Sequence, residues 1–249
     1  MSPGVRRALI PLAVAFAILV PAVQSALDLG LSASEFADDG NETLRAAGYA
    51  FSIWSLIYAG LVAYAVWQAL PRNRDDARLA AIAGPSIVAI LGCGLWICAS
   101  ALDLKWASVG IIVVSAAALT VGLWRTAPRT AAIQERLFVW WPLSLLAGWL
   151  TIASAINILT VLTAQGVLEG VAKAAAFAGV MAVLVVALFV LRTGRLPVYG
   201  VPVAWGLVAV WVAERAEKPD VAALAMAAAV LVGAYALLTA FKQRLARTS

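Results

Sequence analysis

Eight apolar stretches follow one another along this chain, each about the ~20 residues that a helix needs to cross a bilayer. They run over residues 6–27, 46–70, 80–102, 106–126, 138–163, 173–192, 197–214 and 220–242. Basic residues gather at every second connection. Arg6 and Arg7 precede the first stretch, and Arg72, Arg74 and Arg78 follow the second. Arg125, Arg129 and Arg136 follow the fourth, Arg192 and Arg195 the sixth, and Lys242, Arg244 and Arg247 the eighth, which places 13 of the 18 basic residues on one side. The other side holds Arg45, Lys105, Lys173, Arg215 and Lys218 together with ten of the acids: Asp28, Glu35, Asp38, Asp39, Glu42, Asp103, Glu169, Glu214, Glu217 and Asp220. Short basic loops stay in the cytoplasm, so this alternation predicts eight transmembrane helices with both termini cytoplasmic, in a membrane of the bacterial inner (plasma) type.

Composition excludes the soluble alternatives. With 64% hydrophobic and 12% charged residues and a mean hydropathy of +0.95, a soluble domain of 249 residues would carry a largely apolar surface. The lipid bilayer is therefore the expected partner. A net charge of +5 and a pI near 9.6 raise the question of nucleic acid, but the arginines are spread over five short loops with no aromatic-basic patch, so no nucleic acid is expected. Cys93 and Cys98 lie five positions apart on one helix and point in different directions, so no disulfide is expected. Arg6 and Arg7, an apolar run and small residues around Val23 to Ala26 have the outline of a secretory signal. The run exceeds a usual signal core, and retaining it keeps both basic tails on one side, so an uncleaved first span is expected.

No soluble domain interrupts the stretches. The longest connection, from Asp28 to Arg45, is acidic and rich in small residues, with Ser32 or Ser34 placed to cap a short surface helix that could lid a cavity. Asp103-Leu104-Lys105 is so short that the third and fourth helices must be antiparallel neighbours. The Gly194 to Pro197 connection implies the same for the sixth and seventh. Alanine and valine in the sixth and eighth helices read as packing material.

Chemistry is sparse. The chain has no His, and every charged residue lies in a loop or within about one turn of a helix end, so no proton relay or ion site is expected at the bilayer midplane. Two Cys without His make no closed metal site, and His-ligated haem is impossible. No nucleotide-binding or hydrolase motif occurs, and no catalytic constellation is found. A tetrapyrrole held by stacking alone is compatible with these absences.

The aromatic residues carry what remains. Trp67, Trp106, Trp124, Trp140, Trp141 and Trp211 fall near helix ends, where interfacial anchoring accounts for them. Trp54, Trp96, Trp149 and Trp205 lie deeper: at 1.5 Å per residue, Trp54 is roughly 12 Å and Trp96 roughly 9 Å below the external ends of their helices. Each buried indole needs a partner for its N–H. Trp54 and Tyr58 share one face of the second helix, and Trp149, Ala153 and Asn157 form a stripe on the fifth. If those stripes face each other, they wall a cavity in the external half of the bundle. The plain alternative is core packing, with Asn157 bonded to a neighbouring helix.

Residues 48–60, Gly48-Tyr49-Ala50-Phe51-Ser52-Ile53-Trp54-Ser55-Leu56-Ile57-Tyr58-Ala59-Gly60, resemble the second-helix signature of the tryptophan-rich sensory protein (TspO/MBR) family, also called the translocator protein family. Pro142, followed by Trp149, Ala153 and Asn157, resembles that family's fifth helix. Cys93-Gly94-Leu95-Trp96 is similar in its last position to a third-helix element. The resemblance implies a five-helix core over residues 1–163, with residues 164–249 adding three helices. It further implies a porphyrin or other flat aromatic ligand under the first loop, and Phe51, Trp54, Tyr58, Trp96, Trp149, Ala153 and Asn157 as ligand-binding positions.

The leading reading is thus a membrane protein that senses a hydrophobic aromatic small molecule or facilitates its movement, with no resident cofactor beyond a tetrapyrrole-like ligand. A second reading is a structural or assembly subunit docking through the last three helices, and a homodimer is among the assemblies left open. A third is a membrane enzyme acting on a lipid or pigment, in which Asp103 or Glu214 would have to serve as acid or base.

Overall fold

A computed structural model describes residues 1–128, 131–194 and 196–248, with side chains through residue 245. Arg129 and Arg195 of the basic loops lie outside the described residues, as does the side chain of Arg247. Among the described residues there is no strand, and eight helices are long and apolar enough to cross a membrane. They are Pro3–Ala26, Gly48–Ala69, Ala77–Ala101, Lys105–Thr126, Ile133–Ala164, Ala172–Gly194, Pro197–Glu214 and Pro219–Leu245, referred to here as the first to eighth spans. The chain divides into two compact units, Met1–Phe36 with Ile53–Ala147, and Ala37–Ser52 with Gly148–Ser249.

In the first unit the third span is central and packs on both the first and the fourth. Lipid tails are as apolar as leucine, so contact between spans depends on close van der Waals approach, which small residues permit. A Cβ at Gly94 would lie 2.5 Å from Phe16 of the first span, and one at Gly122 would lie 2.5 Å from Pro85 of the third. Gly92 likewise meets the Ser115 side chain. The tight connection to the fourth span turns on Asp103, whose φ of 52° is a left-handed conformation that Asp tolerates. As expected from its length, it leaves the third and fourth spans side by side.

One end of this unit is closed by arginines. Arg6 is only 1% exposed, and its guanidinium donates to the carbonyls of Asn73 (2.7 Å), Arg74 (2.9 Å) and Asp76 (3.1 Å). Arg7 donates to the Ala69 carbonyl at 2.6 Å. Arg6 is therefore more than the loop charge expected from the sequence, because it satisfies main-chain acceptors where the second span ends. At the other end, Ser32 and Glu35 cap the short helix Ala33–Asp38 reciprocally. Ser32 N–H donates to Glu35 Oε2 at 2.8 Å, and Glu35 N–H donates to the Ser32 hydroxyl at 3.2 Å. These contacts, the Ser32 hydroxyl foremost, hold the Glu35 carboxyl below its ordinary range.

The second unit is built around the eighth span, which packs most extensively on the seventh and then on the sixth. The sixth and seventh spans touch each other less than either touches the eighth, so their short connection makes them sequence neighbours with the eighth as their shared partner. Glycines again mark the close approaches. Cβ atoms at Gly200, Gly206 and Gly179 would lie 2.8 Å from Ala236, 2.7 Å from Ile152 and 2.6 Å from Leu159 respectively. Thr151 and Tyr199 hydroxyls meet at 2.7 Å, joining the fifth and seventh spans.

Candidate functional site

The second span begins as a 3-10 turn over Gly48–Ser52 and becomes α-helical at Ile53–Ala69. That transition coincides with the boundary between units, so the second-span motif is shared: Phe51 belongs to the second unit, and Trp54 and Tyr58 belong to the first. Within the first unit, Trp54 and Tyr58 stack at 5.1 Å between ring centroids and an interplanar angle of 28°, as their i,i+4 spacing requires. Both are half-buried. Trp96, also half-buried, meets Phe36 edge-to-face at 6.1 Å between ring centroids, and Lys105 Nζ lies 5.7 Å from the centre of the Phe36 ring. Gly60 and Pro142 meet in the same unit: a Cβ at Gly60 would sit 3.1 Å from Pro142, so the glycine of the second-span motif lets the fifth span approach.

Pro142 also shapes the fifth span. It has no N–H to donate, and the turn before it, Arg136–Trp140, widens to the π form, with Trp141 N–H bonding to the Arg136 carbonyl. Trp140 is swung inward there, 4% exposed, and its indole donates to Glu135 Oε1 at 2.8 Å. Trp140 is thus not the interfacial anchor expected of it, since its N–H is satisfied by protein and not at a headgroup. The anchoring role fits Trp106 and Trp124, which are exposed. Trp67, Trp141 and Trp211 each carry an arginine over the ring, Arg72, Arg136 and Arg215, at 4.8, 5.2 and 5.4 Å.

In the second unit, Trp149, Ala153 and Asn157 lie on the uninterrupted helix Trp141–Ala164. Trp149 and Asn157 are 6% and 5% exposed, and Ala153 is half-buried. Phe51 meets Trp149 edge-to-face at 6.4 Å and 73°. The seven sequence-derived positions thus form one stacked pair, one edge-to-face pair, the Trp96–Phe36 contact, and the Ala153 and Asn157 positions that extend the Trp149 face. Trp205 is not the buried indole expected from the sequence, being 37% exposed, but its N–H still has a protein partner, donating to the Ala50 carbonyl at 3.1 Å. Among the described residues no group of metal-ligating side chains is assembled.

Residues 37–52 carry contacts that the sequence did not announce. Thr43 is fully buried, with its hydroxyl oxygen 2.6 Å from that of Thr163. A Cβ at Gly40 would come within 2.5 Å of Thr160 Oγ1. Glu214 is also fully buried. It accepts the Arg45 main-chain N–H at 2.8 Å and pairs with Lys218 at 3.1 Å. Lys218 in turn donates to the carbonyls of Thr43 (2.9 Å) and Asn41 (3.2 Å). Arg45 pairs with Glu217 at 2.7 Å, and that bond raises the guanidinium above its already high ordinary value. The i,i+4 spacing of Glu214 and Lys218 is visible in the sequence, whereas their partners near residue 45 are not.

A family model described as TSPO-like protein matches residues 7–238, a range that includes the sixth and seventh spans and most of the eighth. No curated protein and no solved structure matches the chain.

Proposed function

This chain belongs to the TSPO-like protein family and is an all-α integral membrane protein, and on that premise we propose that it binds a flat, hydrophobic aromatic ligand of the porphyrin kind, sensing it or facilitating its movement. The observation that carries this reading is the Phe51–Trp149 pair. Two aromatic rings from family-motif positions meet edge-to-face, on a helix whose same face carries Ala153, a small residue, and Asn157, an amide. An indole held by its neighbour offers a π face at low entropic cost, a small residue beside it leaves room for a planar molecule, and an amide supplies directional hydrogen bonding at the edge. Trp54 and Tyr58, stacked on each other, and Trp96 are the corresponding aromatic positions of the first unit. The charged groups lie toward span ends, so a transport step would be driven by the ligand's own gradient.

The test is a titration of the purified protein with protoporphyrin IX, read by quenching of tryptophan fluorescence. Saturable quenching is expected, with Trp149→Ala weakening binding by about five-fold or more on the basis of ~1–3 kcal/mol for a lost stacking contact. Trp124→Ala, at an exposed anchoring position, should leave affinity unchanged. Equal loss at both positions would mean nonspecific partitioning of a greasy molecule. No loss at Trp149 would favour a structural subunit instead.

A further inference from the structure

The segment that carries Phe51 runs along the seventh span in regular register. The Ala50 carbonyl accepts from Trp205 Nε1 (3.1 Å), Ala47 N–H donates to the Ala209 carbonyl (3.0 Å), and Arg45 donates through Nη2 to the Ala213 carbonyl (3.2 Å) and through its main-chain N–H to Glu214 Oε1 (2.8 Å). As the segment numbers fall through 50, 47 and 45, the helix numbers rise through 205, 209 and 213, so each step advances one helical turn, about 6 Å. These bonds hold main-chain groups of an irregular segment, which would otherwise have to find partners in an apolar setting. Both residues immediately before Phe51 rest on Trp205. Its indole N–H holds the Ala50 carbonyl, and its ring receives the Tyr49 ring edge-to-face at 5.2 Å and 81°. The Phe51 ring then meets Trp149.

We infer that the seventh span is a rail that sets Phe51 against Trp149, with Trp205 and Glu214 as the positioning residues of the ligand wall. This gives one of the last three helices a defined task. It rests on the ligand-binding reading above for its functional meaning, but not for its structural content. Trp205 and Glu214 act at opposite ends of the rail. Trp205 fixes the backbone next to Phe51, and Glu214 anchors the far end through Arg45, where Lys218 fastens residues 41 and 43 as well.

The experiment uses the full chain labelled with 5-fluorotryptophan, with the Trp149 fluorine resonance assigned by its disappearance in Trp149→Phe. Phe51→Leu removes the neighbouring ring and should displace that resonance. Trp205→Phe keeps a ring for Tyr49 but deletes the N–H, and should displace the Trp149 resonance in the same direction as Phe51→Leu. Glu214→Gln, which keeps an acceptor oxygen for Arg45 N–H, should displace it less. Trp211→Phe, on the same helix, should leave it unmoved. In parallel, Trp205→Phe should weaken protoporphyrin IX binding about five-fold, the equivalent of one net hydrogen bond, while Trp211→Phe has no effect. A Trp149 resonance unmoved by Trp205→Phe or by Phe51→Leu overturns the inference. So does a displaced resonance with unchanged affinity in a protein that binds protoporphyrin saturably. A displaced resonance in a protein that shows no saturable binding leaves the rail standing and removes the ligand-binding reading.

Discussion

Arg6 in the first unit and Glu214 in the second are both charged, both at helix ends and both buried, yet they are neutralised in opposite ways. Arg6 donates to three main-chain carbonyls of the turn after the second span. Glu214 faces two cations and one main-chain amide: Lys218 lies four residues along the chain, while Arg45, which supplies the other cation and the amide, is 169 residues away. A guanidinium can be satisfied by carbonyl dipoles because it has five donors in a fixed fork. A carboxylate in the same position needs cations or N–H groups, and here they tie an irregular segment to a helix. Burial of a charge therefore closes a turn in one region and fixes tertiary structure in the other.

The largest expected effect separates the two ends of the first unit by side of the membrane. A Cys introduced at Ser34, in the connection after the first span, should label with a membrane-impermeant maleimide in intact cells. A Cys at Arg74, in the turn that Arg6 closes, should label only after permeabilisation. The reverse pattern would overturn the orientation.

Stability should divide the regions next. Glu214→Leu leaves Arg45 and Lys218 without their buried partner, and a loss of about 3–5 kcal/mol is expected in detergent unfolding. Arg6→Met removes charge-assisted bonds to carbonyls that nearby water can partly replace, so the expected loss is about 2 kcal/mol. If Arg6→Met costs as much as Glu214→Leu, the contrast between a local clamp and a tertiary anchor fails.

The smallest effect belongs to the Ser32–Glu35 cap. The Glu35 pKa is lowered in the folded chain, so its contribution is present above the ordinary carboxylate value and fades as pH falls through the folded value. Ser32→Ala should lower thermal stability slightly at neutral pH, and that difference should shrink in acid to the part carried by the Glu35 N–H to Ser32 hydroxyl bond, which does not titrate. A difference that stays constant with pH would mean that the Glu35 carboxylate adds nothing to the cap.

Much of the fold was readable because a bilayer imposes a coarse grammar. Span lengths follow from its thickness, so the eight apolar stretches and the eight helices agree to within a few residues at most ends. The Trp54–Tyr58 pair was readable because it is local to one helix, and the Asp103 turn because its length leaves no alternative. Trp140 was misread because helix-end position stands in for headgroup depth, whereas the π turn before Pro142 brings Glu135 to its indole. The rail was invisible for a different reason. Each of its bonds uses a main-chain group, and they join a loop to a helix over 150 residues later, so they leave no periodicity. Phe51 was named from its motif alone, while the partners that hold its neighbours, Trp205 and the Glu214 cluster, emerge only in three dimensions.

Native mass spectrometry of the intact protein released from nanodiscs loaded with protoporphyrin IX tests the central claim most directly. The account predicts one ligand retained per chain in the wild type and in Trp124→Ala, and an adduct lost or strongly depleted in Trp149→Ala. Equal adducts on all three proteins, or none on the wild type, would contradict it.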